Sequence, residues 1–201
     1  MPQIPQRSAR FWRTASSWAE RCLWWFGIVA LGYAVLTWAE AAYEQAQGNR
    51  ALDRMIRSGA ARSNGPDGGA AEGSLVGRIE IPRVGLSSVI FEGSGDGTLQ
   101  RGVGHLTSSP LPGKPGNVVL AGHRDSFFRP LRNIRAGDTI ALTMPRKVFH
   151  YVVVSTDIVG PQQTEVLRPV PGTDLTLITC YPFGYLGSAP DRYIVRGRTM
   201  E

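Results

Sequence analysis

Hydrophobic and polar positions divide the chain into three regimes. The first is uncharged: from Cys22 to Ala39 no Asp, Glu, Lys or Arg occurs. As an α-helix such a stretch is about 27 Å long, close to the hydrocarbon thickness of a bilayer. Trp24, Trp25 and Trp38 lie towards its ends, where indoles favour the membrane interface. Residues 22–39 therefore read as a transmembrane signal-anchor helix. Arg7, Arg10, Arg13 and Arg21 precede it against Glu20 alone, and the next basic residue is Arg50. That bias places residues 1–21 in the cytoplasm and the rest of the chain outside it, a single-pass topology in the cell membrane. A cleaved signal peptide is the rival reading, since Ala39, Ala41 and Ala42 are small.

The second regime is polar. Residues 40–57, rich in alanine, glutamine and alternating charge, read as a helix continuing out of the apolar one. Residues 58–73 carry almost no apolar bulk, and their glycines and Pro66 forbid regular structure; with 40–57 they make a juxtamembrane helix and flexible linker, 40–73.

The third regime, residues 74–201, is mainly β. Short apolar or alternating runs recur between glycines and prolines: 75–81, 88–91, 117–121, 138–143, 148–154, 174–179 and 193–195. The runs at 138–143 and 148–154 pair across the turn at Pro145. Single helical turns are expected only at 98–104 and 127–131. Short strands at close spacing indicate a closed or nearly closed β-barrel, which also removes sheet edges.

Charge and cysteine content narrow the chemistry. A net charge of +6 and a pI near 9.8 suit an anionic envelope surface or nucleic acid. No zinc-finger spacing, aromatic-rich basic helix or RNA-binding signature occurs, which argues against nucleic acid. Two cysteines, Cys22 and Cys180, exclude a disulfide framework. No His/Cys/Asp/Glu cluster has metal-site spacing, and no cofactor is implied.

Three polar residues stand at strand ends. Cys180 ends the run that begins at Leu175, just before Pro182; His123 follows an apolar run closed by Gly122; Arg192 opens the last run. Each has a plain alternative: a buried core thiol, a turn histidine, a solvated arginine with Arg196 and Arg198 as competitors. A cysteine and a histidine far apart in sequence are also the raw material of a thiol-nucleophile site.

At this point the residues resemble a family. Thr176-Leu177-Ile178-Thr179-Cys180 is similar to the TLxTC signature of sortases. His123 after an apolar strand, and Arg192 at the start of the last, fall where that family has its histidine and arginine. The spacings, 57 residues from His123 to Cys180 and 12 from Cys180 to Arg192, also match. The resemblance covers 74–201 and implies an eight-stranded sortase-type β-barrel behind the transmembrane helix. It implies a cysteine transpeptidase that cuts an LPxTG-like C-terminal sorting signal of protein substrates. The acyl group then passes through a thioester to an amine acceptor, such as a cell-wall precursor. His123, Cys180 and Arg192 are the implied catalytic residues, and Thr179, Tyr181, Arg124 and Asp125 candidates for substrate contact, together with the loop 160–173. The resemblance leaves calcium dependence open. An Asp-Pro-aromatic lid is absent from the linker, no further membrane helix follows Val195, and 158–174 is too short for a long helical insertion. These features leave a class D-, E- or A-like member, with class D-like the preferred reading. A peptidase that mainly hydrolyses its substrate, and a non-enzymatic tethered binding module, are the competing readings.

Overall fold

The computed structural model describes residues 8–58, 71–168, 174–185 and 187–200. The chain divides into two compact units, Met1–Tyr43 and Glu44–Glu201. One helix, α1 (Ser8–Ser58), runs without a break through the uncharged stretch and the polar helix expected after it. The linker expected at 58–73 falls largely outside the described residues.

The transmembrane reading of 22–39 is corrected by the structure. Among the described residues no helix is long and apolar enough to cross a membrane. Composition explains the difference. Trp24, Trp25, Gly27, Gly32, Tyr33 and Thr37 dilute the aliphatic residues, and Glu20 and Arg21 close the run at its start. The single-pass topology, with its cytoplasmic N-terminus, extracytoplasmic catalytic domain and membrane attachment through 22–39, therefore loses its structural basis and is withdrawn.

The second unit contains the barrel. Its elements are β1 (Leu75–Ile81), β2 (Leu86–Glu92), α2 (Asp96–Arg101), β3 (Val103–His105), β4 (Val118–Ala121), β5 (Thr139–Thr143), β6 (Val148–Val159), β7 (Leu175–Tyr181) and β8 (Asp191–Thr199). Among the described residues these eight strands close in the order β1-β2-β3-β4-β7-β8-β6-β5. Most pairs are antiparallel, but β2–β3 and β4–β7 are parallel. The expected hairpin at Pro145 is present as the β5–β6 pair, with Ile140 opposite Tyr151. The barrel is filled by alternate residues of its strands: Ile79, Ile81, Ile90, Leu120, Ile140, Leu142, Leu175, Leu177 and Val195 are all buried in one cluster. Burying aliphatic side chains of this size supplies roughly 1.5–3 kcal/mol each, against the entropy of ordering them.

One strand was not expected. The helical turn read at 98–104 ends at Arg101, and Val103–His105 forms β3. Three residues carry too little pattern to read as a strand, and Gly102 and Gly104 argue locally against one. The glycine at 104 is required by close packing, because a Cβ there would collide with the Gly93 carbonyl oxygen. β6 and β8 also extend beyond the apolar runs that mark them, because ladder hydrogen bonds continue between their polar residues.

Buried polar contacts tie the strand connections together. Beside the β2–β3 pair, His105 Nδ1 lies 3.0 and 3.1 Å from the two Glu92 carboxylate oxygens, and both residues are buried. His105 Nε2 lies 3.2 Å from the Pro110 carbonyl and 3.1 Å from the Ser109 hydroxyl. At the opposite connection Arg83 Nη2 donates to Asp138 Oδ2 at 2.6 Å and Arg83 Nε donates to Oδ1. The Arg135 backbone N–H donates to Asp138 Oδ2 at 2.8 Å.

The Arg83 hydrogen bonds hold the Asp138 carboxyl below its ordinary value of 3.8, with the Arg135 N–H adding to them. A depressed folded-state value means that the carboxylate stabilises the fold above the unfolded-state value. That contribution is lost as pH falls through the folded-state value. Asp138→Asn should therefore lower the urea midpoint at neutral pH. The gap to the unsubstituted protein should narrow as pH falls below 3.8. Urea titrations of both proteins at pH values on either side of that point measure it; a gap that is constant with pH refutes it.

Candidate active site

The site is built on β7, the strand shared by two ladders. On one side β7 runs parallel to β4, with Ala121 opposite Ile178. The Gly122 N–H extends that ladder, donating to the Ile178 carbonyl at 3.1 Å. His123 is the next residue, so it continues the register to the level of Cys180. On the other side β7 runs antiparallel to β8, and Cys180 stands directly opposite Arg192.

Alternation decides which face these residues share. Leu175 and Leu177 of β7 point into the barrel core. Thr176, Ile178 and Cys180 therefore point outward. By the same registers Arg192 on β8 and His123 beyond β4 lie on that outer face. Two strands and the segment leaving β4 thus bring His123, Cys180 and Arg192 into one row, with Cys180 in the middle. Adjacent strands are about 4.8 Å apart. The row is half-buried, so its thiol is reachable from solvent.

The histidine is held from both sides of the chain. Thr179 donates its hydroxyl to the Gly122 carbonyl at 2.7 Å, fastening β7 to the residue before His123. The Phe128 N–H donates to the His123 carbonyl at 3.0 Å and closes the turn after it. The Phe128 ring is fully buried and lies flat against Gly122, where a Cβ would approach it to 2.8 Å. Only glycine fits there.

Arg192 uses one nitrogen structurally. Its Nη1 donates to the Asp191 carbonyl at 2.9 Å and the Ala189 carbonyl at 3.3 Å. Its other guanidinium nitrogens form no hydrogen bond among the described residues, so donors remain for a ligand. The competing arginines stand elsewhere. Arg196 is opposite Thr176 and lies 3.8 Å from the Asp157 carboxylate. Arg198 is exposed, further along β8.

Residues 79–200 match the sortase domain family. The chain belongs to the sortase family. It is therefore a cysteine transpeptidase domain on the eight-stranded barrel of that family. It is 39% identical to Sortase D of Bacillus subtilis (strain 168) over 136 residues, 67% of each chain. Its fold is similar to a Clostridium perfringens Sortase D5 transpeptidase, with a TM-score of 0.58, 30% identity, and coverage of 65% of this chain and 82% of that one. It is also similar to Clostridium perfringens sortase C solved with a C-terminal cell wall sorting motif. There the TM-score is 0.61 and the identity 28%, over 81% of this chain and 90% of that one.

In this sortase the residues read as substrate contacts have separate places. Thr179 turns away from the row and binds the Gly122 carbonyl, a positioning role. Tyr181 stacks on Tyr193 and meets Phe183 edge-on, with both ring centroids 6.1 Å from its own. Arg124 is held by the loop after β7. Its Nη2 donates to the Tyr185 and Gly187 carbonyls at 2.8 Å each, pinning the β7–β8 loop to the residue after His123. Asp125 is exposed beside it. Part of the loop read at 160–173 lies outside the described residues; its start contains a 3-10 turn, Thr164–Leu167. Among the described residues no group of His, Cys, Asp or Glu is placed to hold a metal ion.

Sequence reading passed over Arg129, Arg132, Phe183 and Tyr185. With Arg124, Asp125 and Gly184 they line a cleft of about 370 Å³. A signal for the two arginines was present: they are three residues apart, the repeat of a 3-10 helix. Nothing local showed that their helix would face the β7–β8 loop.

The packing at Gly122 yields a prediction. Gly122→Ala should cost about 1–3 kcal/mol through overpacking against Phe128. Because the strain falls beside His123, turnover should drop by more than the folded fraction does. Urea denaturation and the rate per folded molecule separate the two effects; unchanged stability contradicts the packing argument.

Proposed function

We propose that this sortase cleaves an LPxTG-like sorting signal of protein substrates and transfers the new acyl end to an amine of the cell envelope. The observation that carries the reading is that Cys180 on β7 stands opposite Arg192 on β8, with His123 two residues beyond β4 on the other edge of β7. Cys180 is the nucleophile. Its thiolate, paired with the His123 imidazolium, attacks the carbonyl carbon of the signal's threonine, the C–N bond to the next residue breaks, and a thioester remains. His123 gives its proton to the departing amine. It then takes a proton from the incoming amine as that amine attacks the thioester and the thiolate leaves. Arg192 cannot serve as a base, because its guanidinium stays charged. Its free donors suit the oxyanion and a peptide carbonyl of the signal. The similarity to sortases named D favours a class D-like member, and the relative solved with a sorting motif supports the type of substrate.

The aromatic rings of Tyr181, Phe183 and Tyr193 pack against one another at the end of β7 and the start of β8. Incubating the protein with a labelled LPxTG-like peptide, with and without an amine, distinguishes transferase from peptidase by product mass. Hydrolysis product alone at saturating amine rejects the transferase reading for this chain.

Substitutions separate the roles. Cys180→Ala should abolish thioester formation, as read by mass spectrometry of the intact protein, with the fold retained. Arg192→Lys should lower kcat/KM by roughly 10²-fold, the size of losing an oxyanion donor. A lysine places a point charge where a planar fork is needed. Arg196→Lys and Arg198→Lys should change kcat/KM by only a few fold. A crippling Arg196→Lys beside a mild Arg192→Lys would assign the role to the other arginine.

A further inference from the structure

The cleft on the His123 flank carries more positive charge than the row it adjoins. Arg124, Arg129 and Arg132 line it against one acid, Asp125. Arg129 and Arg132 belong to a 3-10 helix, Arg129–Asn133. With three residues per turn their side chains leave the same side of that helix. Neither guanidinium has a hydrogen bond or an ion pair among the described residues, and Asp125 forms no ion pair. Arg124 is anchored through Nη2, while its Nη1 is shielded from solvent and has no hydrogen-bond partner. Phe183 and Tyr185 form the opposite wall, and the Tyr185 ring lies under the Arg124 guanidinium at 5.8 Å. Guanidinium forks brought together without anions are matched to an oxyacid group, carboxylate or phosphate, by both charge and geometry.

The reaction's symmetry says which substrate occupies this flank. The imidazole that protonates the departing amine also deprotonates the arriving one, so both amines stand on its side of the thiol. Arg192, on the opposite strand, faces the acyl part. Arg124 and Asp125 are the residues immediately after His123. The departing segment leaves the flank before the second half-reaction, and the acceptor enters where it stood. We infer that the Arg124–Arg129–Arg132 cleft selects an amine acceptor bearing an anionic oxyacid group near its amine. This inference rests on the transpeptidase reading and adds the chemical class of its second substrate.

The test uses the full chain, an LPxTG-like peptide and three matched amines: glycylglycine, glycylglycinamide and 2-aminoethyl phosphate. Partition between transfer and hydrolysis, measured against amine concentration, gives an acceptor KM for each. The anionic amines should have an acceptor KM lower than the neutral amide by about five-fold or more, the order expected of two solvent-facing charged contacts. Whichever anionic amine is preferred names the oxyacid. The preference should weaken with added salt. It should fall towards unity in Arg129→Gln and Arg132→Gln, and reverse in Arg132→Glu. Both arginines are exposed, so these variants are expected to fold. Equal use of all three amines, or a preference unchanged in the variants, overturns the inference while leaving the transpeptidase reading intact. Absence of any thioester or cleavage overturns the functional reading and the acceptor assignment with it.

Discussion

Everything in the site depends on the two ladders that β7 makes at once. A parallel partner on one edge and an antiparallel partner on the other hold Cys180 level with both His123 and Arg192. Register is a discrete constraint. A slip of one residue in either ladder would turn Cys180 to the opposite face from its partner. The inner residues of the same strand, Leu175 and Leu177, resist that slip, because moving them out of the core would expose both. The energy that aligns the chemistry is therefore hydrophobic burial, while the hydrogen bonds supply its register.

The parallel pair has a topological consequence. Two parallel neighbours cannot be joined by a tight turn, so the chain leaves β4, builds β5 and β6, and returns to form β7. The first residues of that excursion carry His123, Arg124 and the 3-10 helix with Arg129 and Arg132. The return from β7 to β8 carries Phe183 and Tyr185. Both excursions leave from the same end of the barrel, and the Arg124 hydrogen bonds to the Tyr185 and Gly187 carbonyls join them. The cleft is thus a product of the connections, while the reactive row is a product of the strands.

This division suits a two-substrate reaction. Groups that must meet at one atom need the rigidity of paired strands. A surface that distinguishes acceptors needs only the right charge and reach, which loops can provide. Gly122 sits at the junction of the two. Its missing side chain lets Phe128 pack beneath the histidine's turn, and its carbonyl accepts the Thr179 hydroxyl. A residue with no side chain there fixes two elements at once.

The sequence alone indicated the barrel class, seven of the eight strands through apolar or alternating runs, and three candidate catalytic residues through a local signature and its spacing. Such features are legible because alternation and a strand-end cysteine are properties of adjacent residues. It did not reveal β3, whose three residues, Gly104 among them and Gly102 just before, carry no pattern of their own. It also read 22–39 as a membrane span from the absence of charge; among the described residues no helix has the apolarity that crossing requires, because tryptophan, tyrosine and glycine count as uncharged without being strongly apolar. Tertiary structure set the register that places Arg192 opposite Cys180 and Arg196 opposite Thr176. It also tied Arg124 to the Tyr185 and Gly187 carbonyls and placed Arg129 and Arg132 in one cleft with Tyr185. The reason is physical: these outcomes depend on register and on the path of connections between strands far apart in the chain, and neither is encoded in the residues that they bring together.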